Sequence, residues 1–504
     1  MSVDAPTNGS VKPAVGAPLD GDSAHALRAK RLGLGFLGVY GAGATVEVFI
    51  TFALSQFLLF YLTIVCGLPG ALAGLVGLLS LTIDAFIDPI VGSLSDNLRG
   101  PLGRRHPFMI GASIPTALAL VLLFAVPSGL HGLGLFVYAT ILSLALRIGL
   151  SCYQVPYFAL GAELSDNYAE RSTIVGFRVA FGVVGTLVAT TLSYGLFLSA
   201  PGATTHKAAY VPLAWSFAAI IVVAGLVGGL GTLGARKRLH AAAPVGVASF
   251  GRLAGEIREI FRNRSFRVLF SAILLFFVAQ GVAGPLTLYA NTYFWKISTV
   301  QIRDLTFIYT GGLAVGIILT GVLSRWLEKR TIAFIGLSMF IASQLVPVPL
   351  RVLGLLPTTA DAMAVLTVAV ILLGLGVSSA VIGYQSMMAD AADEHEHLFG
   401  ARREGLYFAG INFSAKASSG LGVLIAGIVL DVIGFPHGVG EAGKALHIAP
   451  AAVRELGLIY GPGAGIVSFI SVTILFAYRI NRHRHAEILK ALGRSGAVLP
   501  PGAV

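Results

Sequence analysis

The chain has 504 residues, of which 56% are hydrophobic and only 12% are charged, and its formal net charge is +11. Soluble domains carry roughly 25% charged residues, so the composition excludes an ordinary soluble protein and indicates an integral membrane protein. Long apolar runs exclude an outer-membrane β-barrel, and the two cysteines, Cys66 and Cys152, indicate neither a disulfide framework nor a metal site.

The chain begins with a segment, residues 1–31, that is rich in Ala, Gly, Pro and Ser. We expect it to be a disordered cytoplasmic tail. It has no basic region followed by an apolar core, so we predict no cleavable signal peptide. A second cytoplasmic tail is expected over 483–504.

Twelve apolar runs are long enough to cross a bilayer as helices, so the predicted fold class is an all-α membrane protein. We number them spans 1 to 12, and they lie at about 33–63, 71–95, 107–128, 133–161, 173–199, 210–234, 266–294, 305–324, 331–350, 361–389, 404–433 and 457–479. We group them into two six-helix halves, over 32–234 and 266–482.

A linker over 235–265 joins the two predicted halves. Its apolar residues, Phe250, Leu253, Ile257, Ile260 and Phe261, alternate with charged residues at helical spacing. This pattern predicts an amphipathic helix on the inner membrane face.

The distribution of basic residues predicts the orientation of the spans. With the N-terminus in the cytoplasm, the inside segments hold 26 Lys and Arg and the outside segments hold 6, while Arg147, Arg178 and Lys416 lie within spans. The positive-inside rule therefore places both termini in the cytoplasm. The same bias accounts for the net positive charge, so nucleic-acid binding is the weaker interpretation.

Two carboxylates inside span 2 are the most informative residues of the chain. A carboxylate in hydrocarbon costs roughly 2.5–3.5 kcal/mol on insertion scales, so it is retained where it faces protein or water. Asp84 and Asp88 are four residues apart and share one helix face. Such a pair binds a cation or shares a proton. The alternative is a structural role, in which Arg or Lys from a neighbouring span holds them.

Span 4 carries a second polar face. Arg147, Ser151 and Gln154 recur at spacings of four and three residues. Arg147 either pairs with an acid such as Glu47 or Asp84, or binds an anionic group of a substrate, because its guanidinium suits carboxylate, sulfonate or phosphate. Glu47 in span 1 is either a third coupling acid or the counter-ion of Arg147.

Charged residues at the inner span ends are expected to act as gates, because charge pairs can lock one face and break as two halves move. They are Asp96, Arg104 and Arg105 after span 2, and Asp390, Asp393, Arg402 and Arg403 after span 10. His395 and His397 lie close by. They lack metal-ligand spacing, and we interpret their segment as a solvated loop rather than a metal site.

The two halves resemble each other. Gly92 at the end of span 2 and Gly321 at the end of span 8 are 229 positions apart, and the Tyr-Gln pairs that begin at Tyr153 and Tyr384 are 231 apart. Two matches at nearly one offset indicate a parallel repeat, as in transporters of the major facilitator type.

Two motifs carry a resemblance to a known family. They are Asp84-Ala-Phe-Ile-Asp88-Pro89 with the later Gly103-Arg104-Arg105, and Met387-Met388-Ala-Asp390-Ala-Ala-Asp393 with the later Arg402-Arg403-Glu404-Gly405 and Lys416. From about Leu32 to Arg482 the chain resembles the glycoside–pentoside–hexuronide:cation symporters of the major facilitator superfamily.

The resemblance implies that Asp84 and Asp88 match the family's cation-site carboxylates, that Lys416 matches an intramembrane lysine of span 11, and that Arg178 matches an arginine near the sugar. The chain departs from the melibiose permease pattern at four positions. Gln154 stands where an aspartate is found, Ile87 replaces an asparagine, Gly43 lies nearest to a sugar-binding aspartate, and Phe158 replaces a sugar-stacking tryptophan.

The sequence contains no phosphate-cradling loop, nucleophile elbow or zinc motif. We therefore expect a secondary transporter, not an enzyme, that moves a glycoside, hexuronide or related organic anion by cation-coupled symport without a cofactor. The expected coupling residues are Asp84, Asp88, Ser151, Gln154 and Lys416, and the expected substrate contacts are Gln154, Phe158, Arg178, Arg147 and Glu47.

Three alternatives stay open at this point. Proton and sodium are both possible coupling ions, because two close carboxylates favour proton sharing whereas sodium prefers several oxygen ligands. The same scaffold suits a lysolipid or other amphiphile carrier. A non-transporting sensor or membrane-embedded enzyme is the remaining alternative. We expect the bilayer and a small solute as partners, no nucleic acid or obligate protein partner, and a location in the plasma (inner) membrane.

Overall fold

The computed structural model describes residues 31–238, 250–438 and 448–494, and these residues form an all-helical bundle. Nearly all of the predicted N-terminal tail and the residues after 494 lie outside the described residues. Twelve described helices have the length and hydropathy of membrane spans, as predicted. Spans 1 to 12 cover Leu34–Val65, Gly70–Asn97, His106–Phe124, Gly132–Glu163, Ala169–Phe197, Lys207–Gly231, Arg264–Phe294, Thr299–Leu323, Lys329–Val352, Thr359–Phe399, Glu404–Val432 and Pro450–Leu475.

Local sequence signals fix several span ends. Span 8 begins after a capping box in which the Ser298 and Gln301 side chains bond each other's backbone amides. Span 10 begins in the same way with Thr358 and Asp361. Each box satisfies backbone amides that a helix start leaves without an intrahelical partner.

The spans form two six-helix halves related by a pseudo-two-fold repeat. Span 1 ends in a π-helical turn at Tyr61–Val65, and span 7 ends in one at Ala290–Phe294. Ala290 lies 229 positions after Tyr61, which is the offset of the glycine match in the sequence. The two halves meet through span 2 against span 11, span 5 against span 8 and span 1 against span 7.

Glycines allow spans 2 and 11 to approach closely. A Cβ atom at Gly74 would lie 2.8 Å from the Leu424 Cα, and one at Gly77 would lie 2.5 Å from a Val423 methyl group. In a bilayer no hydrophobic effect drives helices together, and small residues of this kind allow close van der Waals packing instead. The seam between spans 2 and 11 therefore holds the two halves together.

We call the face at which Leu34, Asn97 and His106 lie the terminal face, and the face at which Val65 and Gly70 lie the opposite face. The opposite face is closed by contacts between the halves. The Asp431 carboxylate accepts hydrogen bonds of 2.7 Å from the backbone amides of both Gly70 and Ala71.

Further bonds close the same face. The Gly438 amide donates to the Thr63 carbonyl over 3.0 Å, and the Thr63 and Tyr289 hydroxyls bond each other. The inter-half hydrogen bonds of the described ranges lie here and at the centre of the bundle, so the gap between the halves opens toward the terminal face.

Two shorter helices lie at the terminal face. One, over Phe250–Ile260, occupies the predicted amphipathic segment, and its Glu256 receives a 3.0 Å hydrogen bond from Arg403. The other covers Arg482–Ala491 and so extends from the end of the predicted C-terminal half into 483–504, where only a tail is predicted. Its His485 lies 3.1 Å from the Asp393 carboxylate, so both helices attach to the C-terminal half.

We predict that Asp431→Ala opens the opposite face, because it removes a carboxylate that caps span 2 of the other half. Hydrogen bonds to a charged group contribute roughly 1.5–3 kcal/mol each. Because the loss of about 1.4 kcal/mol makes opening about tenfold more frequent, we expect Cys66, at the end of span 1, to react about tenfold faster with a water-soluble maleimide. The measurement uses a Cys152→Ser background, which leaves Cys66 as the only cysteine.

Asp361→Ala is the matched control, because the Asp361 carboxylate caps span 10 within its own half. Equal labelling rates in the two variants would show that the Asp431 bonds do not hold the face closed.

Candidate cation and substrate site

The centre of the bundle contains an ion cluster that joins the two halves. Lys416 of span 11 places its ammonium between Asp84 and Asp88 of span 2. Its Nζ lies 2.9 Å from the Asp84 carboxylate and also bonds that of Asp88. The Asp84 side chain is 5% exposed, while those of Asp88 and Lys416 are 31% and 27% exposed. The two carboxylates that share a face in the sequence thus converge on one cation, the lysine.

Span 4 completes this cluster. The Ser151 hydroxyl lies 3.0 Å from Asp84 Oδ1 and 2.7 Å from Asp88 Oδ1. Arg147 lies one turn away, with its guanidinium 3.8 Å from the Asp84 carboxylate. Of the two counter-ions predicted for Arg147, the structure therefore selects Asp84.

Glu47 of span 1 lies on the side of the site that faces span 5. Among the charges that act on its carboxyl group, that of Arg178 has the largest effect, ahead of those of Lys416 and Asp84. The prediction of Glu47 as the counter-ion of Arg147 is wrong, because Arg147 contacts Asp84 instead. A role of Glu47 as a third coupling acid stays a prediction.

Aromatic rings line the part of the site around Arg178. The Arg178 guanidinium lies 4.4 Å from the centre of the Phe158 ring, a cation–π contact. Tyr40 stacks on Tyr157 at 4.6 Å, and the Tyr157 hydroxyl donates to the Tyr40 carbonyl over 2.8 Å. The sequence reasoning missed both tyrosines. Tyr157 could have been found from its position on span 4, where it follows Tyr153 by four residues and directly precedes the predicted substrate contact Phe158.

Gly43 has a packing role here. Span 1 is interrupted between Ala42 and Thr45, and a Cβ atom at Gly43 would lie 2.7 Å from the Tyr153 hydroxyl and 2.9 Å from the Tyr157 ring. The space of a longer side chain at this position is thus already filled by tyrosines.

The predicted gate residues of the N-terminal half form one network. Arg105 bonds Asp96 at 2.5 Å and Glu163 at 2.7 Å, and Arg104 bonds Glu163 at 2.6 Å. The network links spans 2 and 4 through the start of span 3. Glu163 was missed because it lies 58 residues from Arg105 and outside both motifs.

The corresponding residues of the C-terminal half use other partners. Asp390 bonds Lys329 at 2.6 Å, and Asp393 contacts His485 and Arg494 at 3.1 and 3.3 Å. The two arginines pair elsewhere: Arg402 with Glu404 and Glu396, and Arg403 with Glu256 and Glu259. These described ion pairs stay within the C-terminal half and the linker helix, so neither network locks the terminal face.

The prediction of a solvated loop around His395 and His397 is wrong. Span 10 continues as a helix to Phe399, and the His395 side chain is fully buried against Phe399 and Tyr407. The linker helix and the start of span 11 cover this end of span 10, and such cover is not visible in the local sequence.

Comparisons with known proteins agree with this architecture. A family model described as MFS/sugar transport protein, where MFS denotes the major facilitator superfamily, matches residues 39–482. A crystal structure of a mutant of the nucleoside transporter NupG has a TM-score of 0.62 at 13% sequence identity, with 87% of this chain and 99% of that chain covered, and shows the fold.

Two bacterial relatives are similar in sequence. The isoprimeverose transporter of Lactiplantibacillus pentosus is 25% identical over 437 residues, which cover 85% of each chain. The inner membrane symporter YicJ of Escherichia coli (strain K12) is 25% identical over 408 residues, which cover 79% of this chain and 82% of the relative.

The family model and these relatives are those of transporters, so the chain is a secondary transporter rather than an enzyme. The chain belongs to the glycoside–pentoside–hexuronide:cation symporter family of the major facilitator superfamily.

We predict that Gly43→Ala destabilises the protein by about 1–3 kcal/mol, because overpacking forces the Tyr153 and Tyr157 side chains to move. The measurement is thermal unfolding of the purified protein in detergent. Gly38→Ala in the same span is the control, since a Cβ atom there meets nothing within 4 Å. A Gly43→Ala midpoint as high as that of the control would exclude the packing role of Gly43.

Proposed function

We propose that this protein is a symporter that couples the movement of a cation to the uptake of a sugar-type solute, with Asp84 and Asp88 as the coupling site. Both termini would face the cytoplasm of a plasma (inner) membrane, in keeping with the basic residues of the inside segments. In this orientation the described conformation faces the cytoplasm, because its opposite face is closed. Neither a cofactor nor an obligate protein partner is part of the proposal.

The position of Lys416 is the observation that carries the proposal. Its ammonium occupies the place at which two carboxylates would hold a cation. A transported cation must therefore displace the lysine. Since Lys416 belongs to one half and both aspartates to the other, displacement weakens an inter-half contact and allows the halves to move. In the unloaded carrier the lysine substitutes for the cation, so the carrier can also return to its starting conformation with an empty site.

The oxygen ligands around the site favour a proton over sodium. Sodium requires several oxygen ligands, by the logic of other hard cations. The aspartates are joined by the neutral oxygen of Ser151, and Ile87 offers no side-chain oxygen. The Ser151 hydroxyl has one proton and can donate to only one of its two carboxylate neighbours at a time. A proton on the other carboxyl group would complete the second hydrogen bond.

We propose that the solute binds between Arg178, Phe158 and Gln154, near the centre of the bundle. Phe158 offers an aromatic face for a sugar ring, and Gln154 and Arg178 offer hydrogen-bond donors to hydroxyl or acidic groups. Arg147 and Glu47 border this region from spans 4 and 1. Because Glu47 interacts with Arg178, Lys416 and Asp84, the solute and cation sites are electrostatically connected.

We predict that a protein with both Asp84→Asn and Asp88→Asn loses gradient-driven accumulation of solute but retains gradient-free exchange. Asparagine keeps the shape and removes the charge that binds the cation, whereas exchange requires only the solute site. The measurement compares uptake into proteoliposomes under a proton gradient, a sodium gradient and no gradient, with a panel of glycosides, uronides and lysolipids.

Asp361→Asn serves as the matched control, since this carboxylate caps span 10 far from the site. Accumulation by the double variant at the wild-type level would refute the coupling role, and transport of lysolipid alone would refute the sugar-type solute.

A further inference from the structure

A cavity of about 510 Å³ lies between spans 3 and 4 of the N-terminal half. Among the residues that line it are Pro107, Gly111, Thr116, Ala145, Ile148 and Cys152. Span 3 packs chiefly against spans 4 and 6 of its own half, so the cavity opens toward the bilayer and away from the gap between the halves. We call this cavity the span 3–4 groove.

The groove offers apolar contacts and little hydrogen bonding. Thr116 carries the one hydroxyl group among the residues that line it, and this hydroxyl donates to the Ala112 carbonyl over 2.6 Å. Ile114 and Ile141 on the same two spans are exposed, as is typical of side chains that face lipid. A sugar would lose its hydrogen bonds to water in such a groove, whereas a hydrocarbon chain has none to lose.

The length of the groove matches one leaflet of a bilayer. Pro107 is the second residue of span 3, at the terminal face, and Thr116 lies nine residues further along the helix. At 1.5 Å per residue this is a length of ~14 Å, close to half of the roughly 30 Å hydrocarbon core. The groove ends there because spans 3 and 4 meet: a Cβ atom at Gly149 would overlap the Thr116 hydroxyl.

Positive charge surrounds the terminal-face end of the groove. The ion network of Arg105, directly before span 3, is balanced, since two arginines face two acids. Arg99 and Arg236 take no part in it. Arg99 is exposed in the connection between spans 2 and 3, and Arg236 donates to the Pro101 carbonyl of that connection over 2.7 Å. This end of the groove therefore has an excess of positive charge, which attracts an anionic headgroup.

The same charge argues against a second copy of the chain as the occupant. In a symmetric dimer one patch meets its own equivalent, so Arg99 and Arg236 of both copies would converge. Like charges placed together oppose association, whereas an anionic lipid neutralises them. Charge complementarity therefore selects the lipid.

We propose that the span 3–4 groove binds an anionic phospholipid of the leaflet at the terminal face. An acyl chain lies along Gly111 and Ala145, and the phosphate lies near Arg99 and Arg236. By helical spacing, the face of span 4 that lines the groove is roughly opposite the face that carries Arg147. The bound lipid thus supports span 4 from behind the central ion cluster, at a site separate from that proposed for the solute.

The test measures lipid binding to the purified full-length protein in detergent by native mass spectrometry. Dioleoyl phosphatidylglycerol is compared with dioleoyl phosphatidylcholine, which has the same acyl chains and no net charge, and with glycerol 3-phosphate, which has no acyl chain. We expect the protein to bind phosphatidylglycerol at least about tenfold more tightly than phosphatidylcholine and to retain no glycerol 3-phosphate. Equal affinity for the two lipids, or retention of glycerol 3-phosphate, would overturn the proposal.

Filling the groove tests its location. A Cβ atom at Gly111 meets nothing within 4 Å, so Gly111→Leu occupies the groove without a clash, and we expect it to bind phosphatidylglycerol at least about tenfold more weakly. Ala145→Leu fills the groove from span 4 and should act alike. Gly311→Leu in span 8 is the matched control, because Gly311 is exposed and its Cβ atom also meets nothing within 4 Å. Unchanged affinity in folded Gly111→Leu or Ala145→Leu protein would overturn the proposal.

Removing charge tests the headgroup end. Arg99→Gln should reduce the preference for phosphatidylglycerol over phosphatidylcholine about fivefold. Arg325→Gln, at an exposed arginine that follows span 8 on the same face, should leave the preference unchanged. An equal loss in both variants would show attraction by the face as a whole and no built site. Dimers that Gly111→Leu abolishes while it still binds phosphatidylglycerol would assign the groove to a second copy and overturn the lipid.

Discussion

The structure depends on the neutralisation of charges inside a bilayer. Asp84 and Asp88 can lie in the middle of span 2 because Lys416 and Arg147 lie beside them. Replacing either side of such a cluster would leave a buried charge without a partner, which costs more than the intact pair contributes. Because the lysine comes from the other half, the same contact that makes the carboxylates tolerable also joins the two halves. In the proposed function, stability and coupling would therefore depend on one interaction.

The packing around this contact differs between the two faces. Toward the opposite face, the glycine seam of spans 2 and 11 and the Asp431 cap hold the halves by close backbone contact. Toward the terminal face, the described ion networks tie spans together within each half, as Arg105 ties span 2 to span 4 through Glu163. Each half is thus braced as a unit, and the central ion cluster lies at the boundary between the closed and open parts of the gap.

Much of the fold could be predicted from the sequence, because a span must satisfy its backbone within one helix and shows itself as an apolar run. Span 10 was predicted to end ten residues too early, since its charged end at Asp393–His397 is helical only under cover from other elements. The face shared by Asp84 and Asp88 followed from helical spacing. The Lys416 contact did not, because it joins residues 328 positions apart and came only from the family resemblance. The tyrosines around Gly43 showed only in their spacing on span 4, and the partner Glu163 had no local signal that set it apart from ordinary span residues.

In the proposed function, Lys416 and the transported cation compete for the same two carboxylates. Binding of the cation to purified wild-type protein and to Lys416→Gln tests it directly, with proton uptake followed by a pH indicator and sodium binding followed by calorimetry. The account predicts that loss of the competing ammonium increases the affinity for the coupling cation by about tenfold or more. An affinity that is unchanged or weaker in Lys416→Gln would contradict it, because the lysine would then support the cation site rather than occupy it.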